Sequence, residues 1–235
     1  FGNLLSAETS DELQELAKEI MPLMSEHENN ISLNEKLFER IKTVYERRDK
    51  ENLDPEQAKL LEDTYNGFVR NGANLQGEAK EKYRGLCKEL SLLTLQFSEN
   101  NLKETNDYEL VLTEQSQLSG LPESAMDAAA ETAREKGIEG WVFTLQAPSY
   151  GPFMTYADNR NLRHELYMAY NTKCTHDNAC NNLEIVKKIA NIHLEIAQLL
   201  GYDNFAEYNL VERMAKNSES VYKLLNQLLD AYTPT

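Results

Sequence analysis

The chain has 235 residues, of which 41% are hydrophobic, enough to bury the core of one large domain or two small ones. Its 24 Lys and Arg against 39 Asp and Glu leave a formal charge of -15 at pH 7, which repels nucleic acid and anionic lipid at long range. Nucleic acid is therefore excluded as an expected partner. Three cysteines, Cys87, Cys174 and Cys180, are too few for a disulfide framework and indicate a reducing compartment.

No apolar run approaches the roughly 20 residues that span a bilayer, so no membrane association is expected. The first residues, Phe1–Leu5, lack the basic and apolar regions of a signal peptide. These features predict a cytoplasmic location. A periplasmic location stays open, because the chain begins at Phe rather than Met and its natural N-terminus is expected to be missing.

Helices dominate the first hundred residues. Apolar residues at helical spacing predict two amphipathic helices, separated by a break at Asn29 and Asn30. A third helix is predicted to begin with Asp54 as its N-cap and Pro55 at its first position, and to stop at Gly72.

A long helix is predicted next, because one face stays apolar from Tyr83 to Phe97. Near Thr105 the helical period gives way to a period of two. We place a domain boundary there, between an N-terminal helical region, residues 1–105, and a region of short strands and helices, residues 106–235.

Three short strands are predicted in the second region, at 108–113, 141–145 and 153–157. The turn sequence at 148–152 joins the last two, which predicts an antiparallel pair with the first strand beside it. Pro122 is predicted to open a helix between the first two strands. The predicted fold class is mainly α, a multi-helical chain with a small antiparallel sheet of about three short strands inserted mid-chain.

Beyond the third strand the chain is predicted to be helical. Asp158 is interpreted as the N-cap of one helix, and Asn181 with Glu184 as the capping box of the next. The helical segments are predicted at about 158–172, 181–200, 203–214 and 218–232.

His164 and Glu165 match the first two positions of the catalytic zinc motif H-E-x-x-H, but the last position does not match. A zinc site on a helix needs two imidazoles at positions i and i+4, with a Glu between them as general base. The second position here is Met168, whose thioether is a poor zinc ligand. We therefore interpret His164 as a partly exposed histidine in the early turns of a helix.

Cys174, His176 and Cys180, with Asp177 between them, form a second group of ligand-type residues. Their C-x-H-x-x-x-C spacing matches none of the usual zinc modules. We interpret residues 172–182 as a polar loop between helices, with thiols that are incidental or that pair under oxidising conditions.

Three further residues have structural and functional interpretations. His193 lies on an apolar stripe with no ligand residue at i±4, which favours a hydrogen-bonded core histidine. Arg160 and Arg163 oppose the dipole at their helix start, so a structural salt bridge is favoured, with a peptide-facing role as the alternative. The sequence predicts no complete catalytic or metal site, and substrate-binding residues stay unknown.

The order of motifs along the chain resembles the bacterial peptidyl-dipeptidases, or dipeptidyl carboxypeptidases, of the thimet oligopeptidase family. The resemblance is strongest from Gly140 to Tyr170 and covers nearly the whole chain from about Asp54. Its GWVFTLQAPSY segment favours the peptidyl-dipeptidase branch over the oligopeptidases. The matching motifs are Leu92–Asn100, Leu118–Pro122, Gly140–Tyr150, Phe153–Arg160 and Leu199–Tyr202.

The resemblance implies a largely helical zinc metallopeptidase whose two lobes enclose a deep channel for short, unstructured peptides. It also implies a catalytic helix with H-E-x-x-H and a further Glu ligand, and release of dipeptides from a free C-terminus. We expect those residues to lie beyond Thr235, since none can be placed on this sequence. The chain is therefore interpreted as the non-catalytic N-terminal portion, with zinc in the full-length parent and none in this chain.

Two alternatives stay open from the sequence. The chain could be a stand-alone helical module that binds peptides or a partner protein, or part of an oligopeptidase of the same family. Where a covering lobe is missing, apolar surface is exposed, so self-association of this chain is also expected.

Overall fold

The computed structural model describes residues 1–233, which form eleven α-helices and two short strands. The helices are α1 (Gly2–Ala7), α2 (Asp11–Ser32), α3 (Glu35–Glu46), α4 (Pro55–Arg70), α5 (Gly77–Asp107), α6 (Glu123–Glu135), α7 (Ala147–Tyr156), α8 (Arg160–Asn171), α9 (Leu183–Leu199), α10 (Phe205–Leu210) and α11 (Ser218–Tyr232). The strands are β1 (Leu110–Leu112) and β2 (Trp141–Phe143). The prediction of a mainly α fold with a small antiparallel sheet is confirmed. No helix within residues 1–233 is long and apolar enough to cross a membrane.

The start of α4 is set by a capping box. The Asp54 carboxylate accepts a hydrogen bond from the backbone N–H of Gln57 at 2.8 Å, and the Gln57 side chain accepts one from the backbone N–H of Asp54 at 3.2 Å. Pro55 occupies the first turn, where its missing N–H costs nothing. The predicted start of this helix is confirmed, and the helix ends at Arg70, just before Gly72.

The predicted helix break at Asn29 and Asn30 is wrong. Helix α2 continues to Ser32, and the chain turns at Leu33. Asn29 is only 6% exposed, and its side chain lies near the Cys87 thiol on α5. Asparagine favours caps and turns when its side chain is free, and here the side chain is instead buried against another helix.

The third predicted strand, at 153–157, is also wrong. These residues fall largely within α7, and among the described residues the sheet has two strands, with β1 antiparallel to β2 and Val111 opposite Val142. Phe153 is fully buried and packs edge-on against Phe143, with ring centroids 4.7 Å apart. A short apolar run suits a strand or a buried helix equally well, and here the packing selects the helix.

Helix α8 begins one residue later than predicted. Its N-cap is Asn159, whose side-chain oxygen accepts hydrogen bonds from the backbone N–H groups of Asn161 at 3.0 Å and Leu162 at 3.2 Å. Asp158 instead accepts a hydrogen bond from the Ser119 hydroxyl at 2.7 Å. The cap prediction at Asp158 was therefore wrong because its carboxylate is used in a tertiary contact.

Two compact units divide the chain. One unit comprises Phe1–Leu95 together with the described residues from Lys187 onward, and the other comprises Gln96–Val186. The dividing points lie inside α5 and α9. This grouping is discontinuous in sequence, unlike the predicted regions 1–105 and 106–235, which stay a prediction about domains.

The first unit is held together by apolar and aromatic contacts between helices. Its core cluster consists of Leu33, Tyr83, Leu86, Ile192 and Ile196. Helices α3 and α4 add an aromatic stack, with the Tyr45 and Tyr65 ring centroids 3.9 Å apart.

The second unit is built around the two-stranded sheet. Helices α6 and α7 pack against β2, and α7 packs against α8. Its largest fully buried side chains are Phe143, Phe153, Leu112, Leu166 and Val142. This core fixes the position of α8, the helix that carries His164.

Candidate functional site

Helix α8 lies at the C-terminal end of the segment Gly140–Tyr170, where the family resemblance is strongest. Leu166 anchors the helix in the core of the second unit, where it is 0% exposed. The side chains that α8 presents to solvent include His164, Glu165, Tyr167 and Met168.

The His164–Glu165 pair lacks the surroundings of a zinc site. Met168, one turn further along, is 42% exposed and occupies the position that a second imidazole would need. Within residues 1–233, no three His, Cys, Asp or Glu side chains gather as a metal site requires. The donor groups described here do not fit a zinc ion. That this chain binds no zinc stays a prediction.

The loop after α8 is organised around one carboxylate from the end of α5. Glu104 Oε2 accepts a hydrogen bond from the backbone N–H of Cys174 at 2.5 Å, and Glu104 Oε1 accepts one from Asn178 Nδ2 at 2.8 Å. Asn178 Oδ1 in turn accepts a hydrogen bond from the backbone N–H of Cys180 at 2.8 Å. Hydrogen bonds to a charged group are stronger than neutral ones, so Glu104 orders this loop.

Asn182 provides a second set of contacts to the same loop. Its side chain is 5% exposed, donates to the carbonyl oxygen of Phe97 at 3.0 Å and accepts from Asn100 Nδ2 at 2.8 Å. Its backbone N–H donates to the carbonyl oxygen of Cys174 at 2.8 Å. The loop is thus held at both ends by buried or partly buried polar groups.

The two thiols of the loop face inward. Cys174 and Cys180 are 4% and 6% exposed, and burial, followed by the nearby Glu104 carboxylate, raises the pKa of both thiols. A protonated thiol is a poor nucleophile and metal ligand. His176 is exposed, with its Nε2 3.4 Å from Thr172 Oγ1. The structure describes residues 172–182 as a loop between α8 and α9, as predicted.

A cleft of about 630 Å³ opens between the end of α5, helix α8 and this loop. Its apolar lining comes from Tyr108, Leu145, Met168 and Ala169, and its charged lining from Lys103, Glu104, Asp107, Glu165 and Lys173. The volume is in the range of small-ligand sites. The arrangement suits an apolar side chain flanked by polar groups rather than proton transfer or metal binding.

Tyr108, one of the residues that line this cleft, has a buried hydroxyl. Burial, followed by the charge of Glu165, raises the pKa of its phenol, which is therefore neutral at pH 7. The Tyr108 hydroxyl oxygen is buried and has no hydrogen-bond partner among the described residues. A buried hydroxyl usually has a partner, so this oxygen is an exception within the described residues.

Arg163 and His193 have contacts that differ from those predicted. Arg163 Nη1 donates to the carbonyl oxygens of Ala157 and Asp158, so the described partners of this guanidinium are carbonyls rather than the expected carboxylate. Its neighbour Arg160 is exposed. His193 is half-buried and stacks on Phe205 with ring centroids 3.9 Å apart, and burial lowers the pKa of its imidazole.

The sequence patterns do not single out Glu104, Asn178 or Tyr108. One signal was available for Glu104, which lies in the last turn of α5, where the helix dipole disfavours an anion. An acidic residue in that position requires compensating donors. The partners themselves come from a loop far along the chain and have no signature in the local sequence.

Comparisons with known proteins agree in pointing to peptidases. A model of peptidase family M3 matches residues 153–235. Oligopeptidase A of Haemophilus influenzae is 34% identical over 99% of this chain and 35% of its own length, and oligopeptidase A of Escherichia coli has the same identity and coverage. Dipeptidyl carboxypeptidase of Escherichia coli is 32% identical over 98% of this chain and 34% of its own length.

These matches point to one family of peptidases but do not distinguish its branches. Relatives of both names have nearly equal identity, so they do not separate a peptidyl-dipeptidase from an oligopeptidase. The chain spans about a third of the length of the curated relatives it matches. The matches with these peptidases nevertheless cover almost every residue of the chain, and residues 153–235 are similar to peptidase family M3.

Proposed function

We propose that this chain is a non-catalytic wall of the substrate channel in a zinc metallopeptidase that acts on short peptides. The zinc ion and the catalytic residues would come from parts of a longer protein that this sequence does not include. The wall would limit entry to narrow, unstructured chains.

One observation carries this proposal. The matches with peptidases cover 98–99% of the chain but only about a third of those enzymes, while the His164–Glu165 pair is followed by Met168 where a zinc helix needs a second histidine. A segment that aligns throughout with peptidases, yet has no zinc-binding histidine pair, fits a supporting part of the enzyme.

The cleft beside α8 supports a role in contacting peptides. It combines apolar side chains such as Leu145 and Met168 with charged ones such as Lys103 and Glu165. Pockets that bind small ligands commonly combine a mostly apolar lining with a few placed polar groups.

The proposal is tested with the purified chain and with the protein extended past Thr235. We expect the 235-residue chain to contain less than one tenth of a zinc ion per molecule by elemental analysis, and to leave a set of short peptides intact. The extended protein should contain one zinc ion and cleave the same peptides. Stoichiometric zinc or peptide cleavage in the short chain would contradict the proposal.

Within this function, we propose that the parent removes dipeptides from the C-terminus of its substrates. The segment Gly140–Tyr150 supports that choice. Oligopeptidase activity is the second candidate, favoured by the names of two relatives that are 34% identical to the chain. A peptide with a blocked C-terminus separates the two, because an oligopeptidase cleaves it internally and a peptidyl-dipeptidase does not.

A further inference from the structure

The cleft beside α8 lies wholly within the second unit. Every residue that lines it falls between Lys103 and Cys180, so neither the first unit nor the end of the sequence contributes to it. One side of α8 forms a wall of the cleft, with lining residues at the i, i+3, i+4 and i+7 positions that share one helix face. These residues are Glu165, Met168, Ala169 and Thr172.

Part of the lining is apolar. Leu145 is 2% exposed and belongs to the core of the second unit, and Ala169 packs against the same core. Met168 is 42% exposed, and the flexible thioether side chain of methionine adapts to groups of different shape. This part of the lining therefore favours a ligand group with a hydrocarbon segment.

The three acidic side chains of the lining differ in their contacts. Both oxygens of Glu104 accept hydrogen bonds from the loop after α8, and the Asp107 carboxylate pairs with Lys103 Nζ at 3.4 Å. Glu165 is exposed and forms no ion pair within residues 1–233. A cationic group that enters the cleft can therefore pair with Glu165 without displacing either of the other contacts.

The two lysines of the lining have their own partners. Lys103 is paired with Asp107. Lys173 Nζ donates to Thr105 Oγ1 at 2.9 Å and lies 4.3 Å from the centre of the Tyr170 ring. Both ammonium groups are thus engaged within the second unit, and neither forms an ion pair with Glu165.

An arginine side chain matches this combination of groups. Its stem is a hydrocarbon chain, and its planar guanidinium can form two parallel hydrogen bonds with one carboxylate. The Cβ atoms of Glu165 and Met168, three residues apart on α8, are about 5–6 Å from each other. An arginine stem can therefore cover Met168 while its guanidinium reaches Glu165. Lysine has a similar stem, but its ammonium is a point charge without the bidentate geometry.

The charge of the whole chain acts in the same direction. A formal charge of -15 raises the local concentration of cationic ligands. Resting on the proposed contact with short peptides, we propose that the cleft beside α8 binds an arginine side chain of the peptide, with the guanidinium paired to Glu165.

Titration of the 235-residue chain with two blocked tripeptides tests the proposal. One is acetyl-Aib-Arg-Aib-amide, in which α-aminoisobutyric acid (Aib) resists cleavage, and the other has citrulline, a neutral group of the same shape, in place of arginine. With isotope-labelled methionine methyl groups, the Met168 signal in nuclear magnetic resonance should report a dissociation constant on the order of 1 mM for the arginine peptide. The citrulline peptide should bind at least about threefold more weakly.

Met24 is the internal reference for this titration. It lies on α2 in the first unit and is 46% exposed, close to the exposure of Met168. A Met168 signal that does not respond to the arginine peptide would overturn the proposal. Equal responses of Met24 and Met168 would show attraction to the acidic chain without a site, and would overturn it as well.

Glu165→Gln isolates the carboxylate. This variant should bind the two peptides with dissociation constants that differ by less than about 1.5-fold, because the charged partner of the guanidinium is gone. Glu139→Gln is the matched control, since Glu139 is exposed, is not among the lining residues and changes the net charge equally. It should keep the preference for arginine. Equal loss of preference in both variants would trace it to overall charge and contradict the role of Glu165.

The protein extended past Thr235 separates this inference from the proposed channel wall. Its Met168 signal, identified with a Met168→Leu variant, should respond to the arginine peptide as in the shorter chain. No response there would show that later residues fill the cleft, and would overturn the arginine site while zinc content and cleavage still support the channel wall. An extended protein without zinc or cleavage would instead contradict the proposed function and leave the arginine binding of the shorter chain in place.

Discussion

At the scale of single residues, Glu104 is the group that orders the loop after α8. We predict that Glu104→Gln lowers the free energy of unfolding by about 2 kcal/mol, as loss of a charged hydrogen bond does. The carboxylate accepts from two donors, Cys174 N–H and Asn178 Nδ2. A glutamine can accept from one of them but turns its own NH₂ group towards the other. Urea unfolding followed by circular dichroism measures the change.

Glu89→Gln is the control for this prediction. Glu89 lies on the same helix and is exposed, and substitutions at such positions usually change stability by less than about 0.5 kcal/mol. Comparable stability for the Glu104 and Glu89 variants would contradict the role given to Glu104. Faster reaction of Cys174 and Cys180 with a thiol reagent in the Glu104 variant would locate the change in the loop.

At the scale of elements, the junction of β1 and β2 depends on one glycine. Gly140 precedes β2 with a φ of +108°, and a Cβ atom there would overlap the carbonyl oxygen of Leu112 in β1. We predict that Gly140→Ala destabilises the protein by about 3 kcal/mol or more, because backbone strain adds to the overlap. Urea unfolding at 25 °C provides the measurement.

Gly85→Ala provides the matched comparison. Gly85 lies within α5, and a Cβ atom there meets nothing within 4 Å. Alanine at such a site should stabilise the protein by about 0.4–1 kcal/mol, because it restricts the unfolded chain. Effects of the same sign and size at Gly140 and Gly85 would show that the β1–β2 junction tolerates a side chain.

The sequence predicts those elements whose determinants are local. The capping box of Asp54 and Gln57, the long apolar stripe of α5 and the period-two pattern around β1 all lie within a few residues of the structures they specify. Their positions are therefore confirmed closely. The family resemblance extends further, because long ordered motifs carry information about the whole fold.

The wrong predictions concern residues whose conformation is decided by distant partners. Asn29 stays helical where it is buried near Cys87 of α5, and Phe153 is helical because it packs against Phe143. The same holds for the candidate site, where Glu104 meets a loop from much later in the chain. Local patterns cannot supply such contacts, since they arise only when the chain has folded.

At the scale of the whole molecule, uncompensated negative charge opposes both folding and association. The excess of 39 acidic over 24 basic residues leaves a formal charge of -15. Described ion pairs such as Lys59–Asp63 and Lys82–Glu195 join largely exposed side chains, and pairs of this kind contribute at most about 1 kcal/mol each. Repulsion among the unpaired acids should therefore outweigh the attraction of the pairs.

We therefore predict that added NaCl stabilises the fold. The free energy of unfolding should rise by about 1 kcal/mol between 0.01 and 0.15 M NaCl. Over this range the Debye length falls from about 30 Å to about 8 Å, so repulsion between the acidic side chains is screened. Urea unfolding at pH 7 and fixed temperature gives the values. Most of the increase should occur below 0.15 M, since screening saturates there, whereas a general salting-out effect continues to grow with concentration. KCl should act equally, because screening depends on ionic strength and not on ion identity. A fall in stability with salt would mean that the ion pairs dominate, and a rise that appears only above 0.5 M would exclude charge repulsion as its cause.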